Sequence, residues 1–214
     1  SRTAIVDPGA DRAPHGGAAR VSTLSSVAVF CGSRFGADPA YEAAAVEVGR
    51  TLAERGITLV YGGGRVGLMG AVADAAVAAG GEVVGVIPRS LDEREVAHAG
   101  LSELHVVETM HERKAIMAER AQAFLALPGG MGTLEEITEQ WTWTQLGIHA
   151  KRSAFYDVGG FWQPLSALVD SMVRTGFLTA EHSGLVSFDQ DLDALLGRLA
   201  EPLPAQTKDY DARP

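Results

Sequence analysis

The sequence predicts a single α/β domain built on a Rossmann-like, doubly wound parallel sheet, and three observations predict it. Short apolar runs alternate with helical patterns between residues 26 and 199. Several runs are apolar at nearly every position, as in strands covered on both faces. Glycine clusters follow two of them, Tyr61-Gly62-Gly63-Gly64 and Leu127-Pro128-Gly129-Gly130. In such sheets ligands bind beyond the carboxyl ends of the strands, where the strand order reverses.

In chain order, the patterns predict strands over Ser26–Cys31, Ile57–Tyr61, Glu82–Ile87, Leu104–Val107, Ala123–Leu127 and Ser153–Tyr156. The expected helices are Pro39–Arg55, Gly67–Ala79, Met110–Arg120, Leu134–Leu146, Phe161–Thr175 and Gln190–Leu199. This β-α alternation is what a parallel sheet with crossover helices requires. Residues 1–24, rich in Gly, Ala, Pro and Arg, are expected to form a flexible arm, residues 25–200 the folded domain, and residues 201–214 a loose tail. Four strand ends, at Cys31-Gly32-Ser33-Arg34, Tyr61 to Arg65, Ile87-Pro88-Arg89 and Leu127 to Gly130, are expected to meet along one edge.

A chain of 214 residues, 46% hydrophobic, can bury one sizeable core. Its net charge of −9 argues against a broad nucleic-acid or anionic-membrane footprint. A phosphate ligand would then need local positive groups in a cleft. The single cysteine, Cys31, cannot form an internal disulfide and fits a reducing compartment. The first twenty residues show no apolar signal region, and no apolar run approaches the ~20 residues of a membrane span, so a cytoplasmic protein is expected.

Gly62-x-Gly64-x-x-Gly67 follows a strand and opens a helix, and Glu82 lies twenty residues beyond its first glycine. This imitates a dinucleotide fingerprint. However, Glu82 begins its strand, whereas the ribose-binding acid of that fingerprint ends one, so the match is rejected. The glycines still let backbone approach an anion at the helix start. The alternative is a tight turn without a ligand.

Pro128-Gly129-Gly130-Met131-Gly132-Thr133-Leu134-Glu135-Glu136 offers backbone amides for an anion nest. Two roles stay open for Glu136. It can act in a site, or it can complete a Thr133-x-x-Glu136 capping box. Thr109-x-x-Glu112 is a second such box, which places Arg113 and Lys114 near a helix start, where cations oppose the macrodipole. Anion binding and a solvated charge pair explain that placement equally well. Trp141 and Trp143 face different directions on a helix, and core is the expected role for both. His15, His98, His105, His111, His149 and His182 show no metal-ligand spacing, so no metal site is expected.

Together these motifs resemble the Lonely Guy family of cytokinin riboside 5′-monophosphate phosphoribohydrolases. The resemblance spans about residues 26–178 and includes Gly85-Val86-Ile87-Pro88, Trp143-x-Gln145-Leu146-Gly147-Ile148-His149 and Gly176-Phe177-Leu178. It implies cleavage of the N-glycosidic bond of a cytokinin riboside 5′-monophosphate or AMP, no cofactor, and a homodimer with sites near the subunit interface. It implies Arg113 and Glu136 as the catalytic pair. Glu95, Lys114, Gly130, Met131, Gly132, Thr133, Leu134, Glu135 and Thr142 match substrate-contacting positions, and Ser33, Gly63, Gly64, Met69 and Gly129 of the strand-end turns and the α2 start are further candidate substrate-binding residues. Lys114 and the glycine loops would hold the phosphate. The family is often labelled lysine decarboxylase, yet lysine occurs here only at 114, 151 and 208. The sequence departs from the family pattern after residue 150, at Lys151-Arg152-Ser153 and Phe161-Trp162. A rival of another class is a non-catalytic nucleotide or cofactor carrier of the same fold.

Overall fold

The computed structural model describes residues 24–90, 98 and 100–203. The expected arm, most of the expected tail, and Glu95 lie outside them. The described elements are β1 (Ser26–Phe30), α1 (Pro39–Glu54), β2 (Thr58–Tyr61), α2 (Gly67–Ala78), β3 (Val83–Pro88), β4 (Glu103–Val107), α3 (Met110–Arg120) and β5 (Ala123–Ala126). They continue with α4 (Met131–Gln145), β6 (Ser153–Tyr156), a short 3₁₀ turn (Val158–Gly160), α5 (Gln163–Arg174), α6 (Ala180–Ser183), β7 (Val186–Asp189) and α7 (Leu192–Ala200).

The seven described strands form one sheet in the order β4-β3-β2-β1-β5-β6-β7. Every pairing in it is parallel. The chain runs outward from β1 to β4, then returns to place β5 on the other side of β1. The carboxyl ends of β1 and β5 therefore flank the topological switch point. Successive side chains along β1 enter different layers. Val27 and Val29 join a core with Val48 and Leu52 of α1, Val72 of α2 and Leu195 of α7. Ala28 and Phe30 join another with Met117 of α3, Ile137 and Trp141 of α4 and Val169 of α5. A strand sandwiched this way must be apolar on both faces, which is the pattern seen in the sequence.

β7 and α6 were not anticipated. Val186-Ser187-Phe188-Asp189 is a short edge strand whose last three residues are only half-buried, so it lacks a continuous apolar run. α4 begins at Met131, three residues before the expected start, because Gly130 rather than Thr133 occupies the N-cap position. At α3 the expected capping box is present. Glu112 N donates to Thr109 Oγ1 over 3.1 Å, and Thr109 N donates to Glu112 Oε2 over 3.4 Å.

The far edge of the sheet is held by a polar knot. His149 Nε2 lies 3.1 Å from Gln140 Oε1, and its Nδ1 lies 3.3 Å from Thr144 Oγ1. Thr144 Oγ1 also donates to Lys151 O over 2.7 Å. The imidazole packs against Phe124 and Trp143. Burial, reinforced by the Lys151 charge, holds its pKa down to about 4 from an ordinary 6.5. The unfolded chain therefore binds the extra proton first, and stability falls as pH drops from about 6.5 towards 4. His149→Gln should flatten the dependence of melting temperature on pH in that window. An equally steep variant would show that other groups govern acid unfolding.

Candidate active site

The site is built on the carboxyl ends of the strands at the switch point. Gly32 N donates to Pro128 O over 3.1 Å, stitching the turns after β1 and β5 together. Leu68 N donates to Gly32 O over 3.0 Å, which draws in the start of α2. Gly67 makes that approach possible: its φ is +56°, and a Cβ there would lie 2.4 Å from the backbone of Ser33.

Arg113 sits beneath these turns at 7% exposure. Its Nε donates to Val86 O over 3.1 Å, and its Nη2 donates to Gly62 O over 3.2 Å. Strand β3 and the turn after β2 thus fix the guanidinium. Its Nη1 lies 3.4 Å from Glu136 Oε1. Arg113 belongs to the second turn of α3, and Glu136 to the second turn of α4. Glu136 Oε1 is buried and has no hydrogen-bond donor among the described residues. Burial raises the Glu136 pKa above the ordinary carboxylate value, and Arg113 opposes that rise. Glu136 does not complete a capping box, because α4 starts at Met131 and has no side-chain cap. The amides of its first turn are consequently not consumed by a capping side chain.

A cleft of about 290 Å³ opens over this pair. Ser33, Met69, Gly130, Met131, Gly132, Thr133 and Glu135 line it together with Arg113 and Glu136. Cys31, from one of the four strand ends, and Met110 line it too, and neither was among the expected catalytic or substrate-binding residues. Burial and the neighbouring Glu136 push the Cys31 thiol well above its ordinary pKa. An adjoining hollow of about 380 Å³ shares Gly32, Ser33 and Gly130, adds Gly129, and is walled by Phe35, Tyr41 and Phe161. Its aromatic residues are scattered in sequence, so no local pattern announced them.

Other expected contacts lie elsewhere. Lys114 Nζ donates to Glu135 Oε1 over 2.6 Å and to Glu139 Oε1 over 3.1 Å, and its side chain does not line the cleft. Leu134 packs against the core layer of α3 to α5. Thr142 is exposed on α4, its hydroxyl donating to Thr138 O over 2.7 Å. Gly63 and Gly64 are buried in the turn beneath the cleft. Trp141 is core, with Nε1 donating to His182 O over 3.1 Å, and Trp143 packs partly buried beside it. Among the described residues, no three His, Cys, Asp or Glu side chains are grouped to hold a metal ion.

The family model described as "Possible lysine decarboxylase" matches residues 69–199. A probable cytokinin riboside 5′-monophosphate phosphoribohydrolase of Oryza sativa subsp. japonica is 47% identical over 188 residues, 88% of this chain and 83% of its own. A cytokinin riboside 5′-monophosphate phosphoribohydrolase of Rhodococcoides fascians is 44% identical over 181 residues, 84% of this chain and 91% of its own. The chain belongs to the Lonely Guy family. The residues matched by the family model run from α2 to α7 and include the glycine turn after β5. Among solved structures, the molybdenum cofactor carrier protein of Chlamydomonas reinhardtii superposes with a TM-score of 0.62 at 20% identity, covering 82% of this chain and 98% of that one. That likeness shows the shared fold alone.

The seat of Arg113 is tight. A Cβ on Gly62 would lie 1.9 Å from Arg113 Nη2. Gly62→Ala should therefore displace the guanidinium and lower stability by about 1–3 kcal/mol, the usual cost of overpacking. Denaturant unfolding checks this. A variant as stable as the wild type would mean that Arg113 is not held at Gly62.

Proposed function

We propose that this chain hydrolyses the N-glycosidic bond of a cytokinin riboside 5′-monophosphate or AMP, giving free base and ribose 5-phosphate. The observation that carries this reading is the buried Glu136 carboxylate. It has an unfilled oxygen, faces Arg113, and lies one helical turn below the open amides of the α4 N-terminus. The names of the rice and Rhodococcoides relatives give the substrate class.

The amides at Gly130 to Thr133, with Ser33 opposite, suit the 5′-phosphate, since a helix start attracts anions. Departure of the base leaves an oxocarbenium-like ribosyl cation. An ionised Glu136 stabilises that cation and orients water towards C1′. The C1′–N bond breaks, its electron pair goes to the base, and the water oxygen bonds C1′. The departing base takes up one proton from solvent, and Glu136 receives the one lost by the attacking water and returns it to solvent. Arg113 is too basic to be a conventional general acid. Its work here is to counter the burial that would otherwise protonate Glu136.

A decarboxylase reading finds little support in the lysines. Schiff-base chemistry needs a neutral amine. The Lys114 ammonium is opposed by burial, but Glu135 and Glu139 outweigh that and raise its pKa. Lys151 lies at the opposite edge of the sheet, where its Nζ donates to Ala118 O. A passive nucleotide carrier would have no use for a desolvated carboxylate at the ribose.

Glu136→Gln keeps the shape and removes the charge. Base release from a panel of nucleotides should fall by ~10²-fold or more, the usual effect of losing one preorganised electrostatic group, while nucleotide binding survives on the amides. The panel should show turnover of 5′-monophosphates and not of the parent nucleosides. A folded Glu136→Gln protein with near-normal base release would overturn the assignment.

We also propose a homodimer and a cytoplasmic setting. Leu146 and Ile148, just past the end of α4, are neighbouring apolar side chains 50% and 62% exposed. Such apolar exposure is typical of a surface that another chain covers. Light scattering should give about twice 22.5 kDa at micromolar concentration, whereas a monomer mass would refute the dimer.

A further inference from the structure

Three carboxylates crowd the start of α4. Glu135 and Glu136 are adjacent, and Glu139 follows one turn later. At such spacing like charges repel, and each makes the others easier to protonate. The side chains of Glu136 and Glu139 are 12% and 23% exposed, so water screens them poorly. Among the charged groups around Glu136, Arg113 and Lys114 of α3 oppose its protonation, while Glu135 and Glu139 of α4 favour it. Cys31, at the end of β1, faces it as a neutral thiol.

The two cations divide the work. Arg113 spends two of its nitrogens on Val86 O and Gly62 O and leaves Nη1 near Glu136. Lys114, the next residue, reaches the other way. Its ammonium, on a side chain 8% exposed, bonds Glu135 at 2.6 Å and Glu139 at 3.1 Å. Two of its three donors are therefore committed to α4, one of them to Glu135, which lines the cleft while Lys114 does not.

We infer that Lys114 is a positioning residue for Glu136: by pairing with Glu135 and Glu139 it pins α4 to α3 and cancels the charges that would protonate the neighbouring carboxylate. This is not the substrate contact implied by resemblance. With Lys114 in place, three carboxylates face two cations, and without it they face one. The inference rests on the proposed hydrolysis only for its catalytic consequence. The ionisation of Glu136 can be read without turnover.

Two readouts on the full chain separate the possibilities. The first is infrared titration of the Glu136 carboxyl, assigned by subtracting the spectrum of Glu136→Gln. The second is base release from AMP across pH. Lys114→Met should move the Glu136 titration to higher pH, Lys114→Arg should restore most of it, and Glu139→Gln should move it to lower pH. Base release by Lys114→Met should fall about tenfold below the acid limb and return to within about threefold of wild type above it, with KM changed by less than about threefold. Opposite shifts from Lys114→Met and Glu139→Gln cannot come from damage to packing, which would harm both alike. The inference is overturned if the Glu136 titration stays put in Lys114→Met, or if KM for AMP rises tenfold while the acid limb is unmoved. If Lys114→Met does not fold, Glu139→Gln decides: an unshifted titration overturns the inference. Absence of base release from the wild type at every pH would sink the proposed hydrolysis, while the infrared shifts would still decide the role of Lys114.

Discussion

The guanidinium of Arg113 is a permanent charge held at 7% exposure under the carboxyl edge of the sheet, and most of the local architecture accommodates it. A buried charge is tolerated only when its donors are satisfied and a counter-charge is near. One carbonyl within β3, one in the turn after β2, and one carboxylate meet those needs. Gly62 must lack a side chain because the guanidinium occupies the space a Cβ would fill. Glu136 must face inward because removing either partner of a buried pair leaves an uncompensated charge, at a cost of about 3–5 kcal/mol. The same demand sets α3 and α4 side by side over the sheet, each offering its second turn to the cleft.

Much of this was legible in the sequence. The sandwiched strands were visible because burial on both faces demands unbroken apolar runs, as in Val27 to Phe30 and Phe124 to Leu127. The edge strand β7 was missed for the converse reason, since Ser187 and Asp189 interrupt its apolar pattern. The glycine turns lie at the carboxyl edge of the sheet, where the cleft opens. Glu82 lies at the opposite one, where its carboxylate accepts from Thr58 Oγ1, which agrees with rejecting the dinucleotide fingerprint. The start of α4 was harder to read. Thr133 looks like an N-cap in sequence, yet Gly130 lets the helix begin a turn sooner. That shift decides what Glu136 does, because a capping-box carboxylate points back along its own helix and this one points at Arg113.

Neighbours in sequence also proved to be different in kind. Arg113 and Lys114 read as one cationic pair, but successive residues on a helix diverge by about 100°. One therefore meets the strand ends and the other meets α4. Thr142 carries a similar lesson. It lies six residues beyond Glu136 on the exposed side of α4, and its hydroxyl is spent on Thr138 O. Nothing in a linear motif distinguishes a side chain that reaches the cleft from one that serves a helix beside it.

These commitments bear on how an acidic protein can bind a phosphate. With a net charge of −9, its long-range field repels an anion. Both cations under the cleft are already engaged, Arg113 by carbonyls and Glu136, and Lys114 by Glu135 and Glu139. The uncapped amides of the first turn of α4 are then the fixed dipoles open to an anion there, and Arg34 stands in the lining of the adjoining hollow. Dipoles act over a few ångströms and add no net charge. They can hold a phosphate at one end of the cleft without drawing the Arg113 charge away from Glu136. A lysine placed on the phosphate instead would compete with the acids for the same helix start. On the proposed reading the glycines after β5 thus serve twice: they expose amides suited to an anion, and they leave the buried cations to the carboxylates.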